Sequence, residues 1–454
     1  MRYSLTSKQK IILLVAGGVG LYMLLALFCI APGKKGCGEV KTGAELVMWG
    51  VFDGEEIWEP ITRSFKLRNI NTKITYKQIP FADYEKRLID AFASGTGPDI
   101  FFINNTWLPK FQNKMTPMPQ GQGWMTFSQY RDSLVDVAVS DFTRDRQEIY
   151  AVPFNIDTLA LYYNRDLFNS AGIAEPPRTW EEFQKNVERL TLIDSAGSVI
   201  RSGAAMGTAR NINRSTDVMG LLMLQTFGDT PLVDVEGSQT KFTISIGEGG
   251  NVFTPGLESL RFYTDFANPA LKSYTWNRDQ HYSIDAFVEG NTAMMLNYSH
   301  HIETIRSRAP QLSLGIARAP QPQALYDQKK AIDYAGYFGL AVARTDNERK
   351  AAAAWEFLQY MTEAPQQKVY FEATRRLPAR RDLLAQLTED PDFGVFAQQA
   401  LTARSWYQPD NVAVETIFAD MIESVIDGTS AREALQRADG EISVLLRDAD
   451  LRRF

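Results

Sequence analysis

Three short segments hold side chains whose types and spacing suit ligand chemistry. Asn104-Asn105-Thr106-Trp107 follows the apolar run Asp99 to Ile103, and Asn155-Ile156-Asp157-Thr158 lies between Val152-Pro153 and the run Leu159 to Tyr163. The third, Tyr334-Ala335-Gly336-Tyr337-Phe338-Gly339, spaces aromatic rings with glycines, which allow bending or close backbone approach. Each places amides, a carboxylate or flat rings at the end of a buried run, where α/β proteins bind ligands. Trp107 could equally be a core ring behind a turn.

Covalent chemistry has little to build on. The sequence carries no phosphate loop, no G-x-S-x-G elbow and no H-E-x-x-H pair. Gly247-Glu248-Gly249-Gly250 is a lone loop signal, and the adjacent His300 and His301 diverge on a helix, so they chelate one ion poorly. With 3 His and 2 Cys in 454 residues, a zinc ribbon, a Cys/His protease and a disulfide framework lack their residues. No metal or cofactor is expected. The 54 acidic residues leave a glycosidic carboxylate pair open, although none sits in a recognisable catalytic frame. Those acids outnumber 48 Lys and Arg, a net charge of −6, which speaks against nucleic acid as a partner.

The three segments need elements to hold them. From Leu46 onward short apolar runs alternate with amphipathic stretches, an α/β pattern. Leu46 to Trp49, Ile74 to Ile79 and Asp99 to Ile103 read as strands. Between them Ile57, Ile61 and Phe65 share one helix face, with Pro60 tolerable only in a first turn. Asp83 is expected to cap a second helix carrying Tyr84, Leu88, Ala91 and Phe92, which Gly95 closes. Thr179 with Glu182, Thr345 with Glu348 and Ser430 with Glu433 fit capping boxes of later helices. Ser195 to Gly203 and Gly247 to Gly250 read as surface loops.

Residues 1–10 form a basic flank, and Ile11 to Ile30 then runs for 20 residues without a charge. At roughly 1.5 Å per residue that covers the ~30 Å hydrocarbon core. A cleaved signal peptide competes with a retained anchor, but its only cut site, Cys29-Ile30-Ala31, is followed by Pro32, so retention is the expectation. Neither Cys29 nor Cys37 sits in a good lipoprotein context. Basic residues on the short flank keep it cytoplasmic and place the body outside the cell membrane, periplasmic or at the cell surface. Residues 31–43 form a leash of at most roughly 40 Å. The first 43 residues hold six basic side chains against Glu39 alone, which leaves a net charge of −11 on the rest.

Several stretches, in order, carry a resemblance. They are Phe92 to Ile100, Asn105 to Leu108, Tyr150 to Leu159 leading into Tyr162 to Phe168, Pro176 to Phe183, Phe287 to Met295, Ala353 to Leu358, Leu377 to Arg380, and Gly428 with Glu433 to Leu435. From about Leu46 to the carboxyl terminus the chain resembles extracellular solute-binding protein family 1, the sugar-binding proteins of ABC importers that include maltodextrin-binding proteins. The resemblance implies a two-lobed periplasmic-binding-protein-like fold of type II with an interlobe cleft, here preceded by one amino-terminal transmembrane helix. Residues 44–152 plus 337–378 would form lobe one and 153–336 plus 379–454 lobe two, joined near Ala151 to Asn155, Tyr334 to Gly339 and Thr374 to Arg380. It also implies hinge closure on a carbohydrate, delivery to permease subunits of an ABC transporter, and no enzymatic activity.

A sugar ring pairs an apolar C–H face with hydroxyls, so its site needs flat rings plus amides or carboxylates. Under the resemblance the stacking candidates are Trp49, Trp107, Trp276 and Tyr337, and the hydrogen-bonding candidates are Asn104, Asn105, Asp157 and Asn297. Asp157 could instead brace the hinge. An anchored glycoside hydrolase or lyase, a ligand sensor, and a non-sugar ligand such as a polyamine or phosphoester remain the alternatives.

Overall fold

The computed structural model describes residues 44–144, 147–236, 239–242, 244 and 254–451. The expected anchor Ile11 to Ile30, both cysteines and the Gly247 loop lie outside them. Among the described residues no helix is long and apolar enough to cross a membrane.

Strand β1 (Glu45–Gly50) alternates exposed and buried side chains and turns Leu46 and Met48 inward. Helix α1 (Glu55–Arg68) follows, then β2 (Lys73–Gln78), α2 (Phe81–Ser94) and β3 (Ile100–Asn104). Two details differ from the sequence reading. Pro60 lies in the second turn of α1; the carbonyl it leaves without a donor belongs to exposed Glu56, so water can satisfy it, while Trp58, Ile61 and Phe65 stay buried. Helix α2 begins at Phe81 behind Pro80, and Asp83 sits in its first turn paired with Arg87 at 3.0 Å instead of capping it.

Helix α3 (Asp136–Phe142) precedes β4 (Ala151–Pro153), after which come β5 (Ala160–Asn164), α4 (Trp180–Leu190), α5 (Ser215–Phe227), β6 (Met294–Asn297), α6 (His301–Arg308) and β7 (Leu314–Arg318). The chain then returns through β8 (Phe338–Val342), α7 (Glu348–Met361) and α8 (Ala364–Thr374), and ends in α9 (Asn411–Ile426) and α10 (Ala431–Leu451). Thr179 accepts from Glu182 N at 3.3 Å, yet the Glu182 carboxylate turns to Arg178 N. Helix α7 is capped by Asn347 and not by Thr345. The stretch read as a loop at Ser195 to Gly203 contains Val199–Arg201, paired in a hairpin with Leu192–Ile193.

One sheet has the order β2-β1-β3-β8-β4, with β1 parallel to β2 and β3, and β8 antiparallel to β3 and β4. A second, antiparallel sheet has the order β6-β5-β7. The first sheet therefore brings the carboxyl ends of β1, β2, β3 and β4, and the start of β8, to one edge. Two apolar clusters form the core, and the period of two along β5 serves both: Leu159 and Leu161 enter one, Ala160 and Tyr162 the other.

The connections between the sheets are tied to one another. Ile156 N donates to Leu377 O at 2.9 Å, and Gly336 N to Asp157 O at 3.1 Å. Two fully buried glutamines brace the same crossing. Gln367 donates to Pro153 O and accepts from Ala379 N, whereas Gln399 donates to Thr158 Oγ1 and Leu159 O and accepts from Ala319 N. Each amide is satisfied at both ends, as burial demands.

Candidate functional site

Four aromatic rings converge at the edge of the first sheet. Beyond β1, Val51 enters the core and Phe52 takes φ 66°, a left-handed conformation that costs a residue with a Cβ about 1–3 kcal/mol. That turn throws its ring outward, 49% exposed, and returns Asp53 to the interior. Phe81, the first residue of α2 and 58% exposed, stacks on Phe52 at 5.2 Å between centroids. Phe338 stands edge-on to Phe52 at 5.6 Å, and Trp107 edge-on to Phe338 at 6.0 Å.

A charged pair backs this wall. The Arg376 guanidinium lies 5.1 Å from the Phe52 ring centre and donates to Asp53 Oδ1 at 2.5 Å. Tyr370 OH donates to Asp53 Oδ2 at 2.5 Å. Burial raises the Asp53 carboxyl above its ordinary range, with Arg376 pulling the other way.

The facing wall comes from the end of β6 and the start of α5. Tyr298 OH donates to Asp217 Oδ2 at 3.1 Å, and the Arg214 guanidinium sits 5.4 Å from the Tyr298 ring centre and 3.9 Å from Asp217. Glu415, solvent-exposed in the first turns of α9, adds a carboxylate; partial desolvation and the charge of Asp217 raise its pKa, against Arg214. Burial raises Asp217 likewise. The two walls meet at Gly336, where a Cβ would come within 2.7 Å of Tyr298 OH, and Phe338 follows two residues later. Close approach is thus why glycine stands there.

Asn411 joins the walls across this floor. Its Oδ1 accepts from Thr106 Oγ1 at 2.8 Å and from Trp107 Nε1, and its Nδ2 donates to Gln408 Oε1 at 3.1 Å. The ring wall can stack against apolar C–H faces, while the opposite wall supplies donors and acceptors. Each arginine already faces carboxylate, Arg376 with Asp53 and Arg214 with Asp217 and Glu415, so neither wall presents an excess of positive charge. Among the described residues no group of three His, Cys, Asp or Glu side chains is placed to hold a metal ion.

Of the residues chosen from sequence, Trp107 joins the ring wall. Trp49 lies half-buried inside β1 with Lys77 Nζ 5.2 Å from its ring, and the outward ring of that strand end is Phe52. Asn104 folds its Oδ1 back onto Thr106 N at 3.0 Å and Thr106 Oγ1 at 2.9 Å. Asn105 and Tyr337 are buried and face Asp141, away from the rings, at 3.1 and 2.6 Å. Trp276 is 0% exposed and donates to Asn211 Oδ1 at 3.1 Å, so both ring faces are covered and it packs as core.

Asn297 is also 0% exposed; its Oδ1 accepts from Tyr298 N, while its Nδ2 and the nearby Ser299 Oγ have no hydrogen-bond partner among the described residues. Asp157 accepts from Thr158 N and Ser299 N, both at 2.9 Å, and meets His300 Nδ1 at 3.2 Å. It pins the turn between β6 and α6 to a crossing between the sheets. Burial holds the adjacent His301 down at a pKa of about 3, so it is neutral at neutral pH. Phe52, Phe81, Arg214, Asp217, Tyr298, Arg376, Asn411 and Glu415 stand outside the candidates that the sequence offers, and Phe338 lies in the third segment without being a stacking candidate. An outward Phe immediately after a strand, before Asp53-Gly54 or behind Pro80, is the signal that could have found the first two.

With this geometry in place, likeness to other proteins becomes informative. The profile of the family described as bacterial extracellular solute-binding protein matches residues 53–368. A protein of Brucella abortus (strain 2308), named only as a binding protein, is 22% identical over 406 residues, 86% of this chain and 87% of its own. The sn-glycerol-3-phosphate-binding periplasmic protein UgpB of Escherichia coli (strain K12) is 23% identical over 368 residues, 77% of each chain. The solved cyclic alpha-maltosyl-1,6-maltose binding protein from Arthrobacter globiformis matches with a TM-score of 0.71 at 19% identity, over 89% of this chain and 100% of that one. At that identity the match speaks for the mixed α/β, two-lobed fold.

Proposed function

Because the chain belongs to the bacterial extracellular solute-binding protein family, we propose that it captures a carbohydrate between its lobes and delivers it to the permease of an ABC importer without altering it. The observation that carries this reading is the ring wall of Phe52, Phe81, Phe338 and Trp107, with Tyr298, bonded to Asp217, packed against Gly336 two residues before Phe338. Rings would take the apolar face of a sugar, and the polar wall its hydroxyls. Closure would follow as ligand binds one lobe arrangement more tightly than the other. We place lobe one in residues 44–152 plus 337–378 and lobe two in 153–336 plus 379–454. The first sheet draws its strands from either side of β5, β6 and β7, which supports that division.

Ile11 to Ile30 would anchor the body outside the membrane, on the leash 31–43. Tethering raises the effective concentration at the permease.

A phosphoester is the second reading, favoured by the partly exposed Arg376 at the ring wall and by the name of one relative. The matched carboxylates weigh against it. The full chain in detergent, screened by thermal shift and calorimetry against oligosaccharides, polyols, polyamines and sn-glycerol 3-phosphate, separates the two. Oligosaccharide at a hundredfold its dissociation constant should add about 2.7 kcal/mol and be recovered intact. Stabilisation by the phosphoester alone, or cleavage of a glycosidic bond, would overturn the carbohydrate reading.

A further inference from the structure

The two most exposed large apolar side chains among the described residues stand three positions apart, Leu67 at 81% and Ile70 at 78%, ahead of Val412 at 65%. Both lie at the amino edge of the first sheet, the opposite end of its strands from the ring wall. Helix α1 buries the stripe Trp58, Ile61 and Phe65, and Leu67, two residues beyond Phe65, is turned to the other face. Past the helix, Asn69 N donates to Phe65 O at 3.0 Å and Thr72 N to Asn69 O at 2.9 Å, a closed turn that buries Thr72 and leaves Ile70 outside. Exposed apolar side chains scattered singly need no explanation; the two extremes of the molecule on one turn do.

The chain itself points to the partner. The carbonyl of Ala44, the first described residue, accepts from Lys73 N at 2.9 Å, directly after that turn, so the leash 31–43 joins the body beside Leu67 and Ile70. A leash of at most roughly 40 Å from the anchor keeps this edge within that distance of the bilayer. Charge agrees, since Lys66 and Lys73 are exposed here and the leash adds Lys34, Lys35 and Lys41 against Glu39. Arg68 is paired with Glu363 at 2.8 Å and Glu45 stands opposite Lys73 in register, so the edge is only weakly basic and its apolar pair is the stronger feature.

We propose that this edge is a resting surface on the lipid bilayer: Leu67 and Ile70 enter the interfacial layer of an anionic membrane, with Lys66 in reach of its phosphates, and the ring wall is turned away from the lipid between deliveries. The inference rests on the anchoring proposed above and not on the identity of the ligand. Two side chains hold a membrane weakly on their own, but the tether presents them at high effective concentration, so a weak contact is enough to set orientation. The six residues of β1, at about 3.3 Å each, set the two edges of the sheet roughly 20 Å apart, which keeps the ring wall clear of the lipid headgroups.

Fluorescence quenching on the full chain tests this, in vesicles of equal parts phosphatidylcholine and phosphatidylglycerol with bromine on the acyl chains. The fluorophore sits at Ser64→Cys, exposed one turn before Leu67, or at Glu188→Cys, exposed in α4, with Cys29→Ser and Cys37→Ser in both. The chain should float with the vesicles, quenching at residue 64 should exceed that at residue 188 by at least about threefold, and Leu67→Ser with Ile70→Ser should bring it down to the level of residue 188. Because both side chains are exposed, the double variant should melt with the parent chain, so lost quenching is not lost fold. A chain that floats yet is quenched equally at both positions, or is unaffected by the double substitution, would leave the anchor and overturn the resting surface. Quenching at residue 64 that grows with the number of chains per vesicle would assign the pair to a second copy and overturn the lipid reading as well. A chain that does not float would count against the anchor, and the resting surface with it.

Discussion

The same strand ends build two unlike places. On one side of the 336–338 segment Phe338 stands against the exposed rings of Phe52 and Phe81; on the other Tyr337, its neighbour in sequence, gives its hydroxyl to half-buried Asp141. Residues at the end of β3 divide in the same way, Trp107 to the rings and Asn105 to the acid. Alternation along an extended chain parts the adjacent Tyr337 and Phe338, because successive side chains point to opposite faces, whereas the turn that follows β3 parts Asn105 from Trp107. On the ring side Phe52 and Phe81 are half-exposed, Phe52 in a left-handed turn, while Phe338 and Trp107 are buried behind them. On the acid side Asn105 and Tyr337 are buried and Asp141 is half-buried, each carboxylate oxygen accepting a hydrogen bond, the marks of a joint.

The largest expected effect tests whether the ring side needs its buried charge pair. Arg376→Met leaves Asp53 buried with only Tyr370 OH on its side chain, and breaking such a pair costs about 3–5 kcal/mol. Urea unfolding near pH 7.5 should show that loss. Without Arg376 the Asp53 carboxyl is raised further, so the deficit should shrink as pH falls toward the ordinary carboxylate range. A loss under about 1 kcal/mol, unchanged with pH, would show that the pair does not support the wall. Next in size is Trp276→Phe, which should cost about 1–3 kcal/mol as a core truncation and leave ligand affinity within about twofold. A tenfold loss of affinity at unchanged stability would return Trp276 to the site.

Asp157 separates bracing from contact. Asp157→Asn keeps the shape but weakens acceptance from Ser299 N and His300, and about 1 kcal/mol of stability should be lost. If affinity for an oligosaccharide found in the screen falls more than the melting point accounts for, the carboxylate touches ligand.

How much was legible follows from these residues. Strand ends and helix faces were readable because period two and period 3.6 are written in apolar positions: β1, β2, β3 and helices α1 and α2 lie where the pattern put them. The neighbourhood of the site was readable too, since Asn104 to Trp107 and Tyr334 to Gly339 do lie at the sheet edge. The side to which each residue turns was not. Tyr337 and Phe338 look equally suited to stacking in the sequence, and only the register of β8 against β3, which pairs Phe338 with Asn104, decides between them. Arg214 and Arg376 were hidden for another reason. Asp217 and Tyr370 stand near them in sequence, but Tyr298 reaches Arg214 and Asp53 reaches Arg376 only by folding, and Asp53 lies 323 positions from Arg376 in the chain.

The smallest expected stability change is also the sharpest test of the ring side. Phe52→Gly removes a stacked ring, worth about 0.5–1.5 kcal/mol, and adds the backbone entropy of glycine, about 0.5–1 kcal/mol. It also relieves a left-handed conformation that costs Phe52 about 1–3 kcal/mol. These nearly cancel, so the melting point should move by no more than the equivalent of about 1 kcal/mol. Affinity for an oligosaccharide has no such compensation: a flat ring at the centre of the wall is lost, and about a tenfold loss is expected, close to 1.4 kcal/mol. If stability falls by several kcal/mol while affinity holds, the ring is a packing element and the wall is not a binding surface. Tyr337→Phe makes the complementary case on the acid side, where one hydroxyl lost from Asp141 should cost about 1 kcal/mol of stability with oligosaccharide affinity unchanged. A Phe52 that yields in affinity alone, beside a Tyr337 that yields in stability alone, would separate the work of the two sides of one sheet edge.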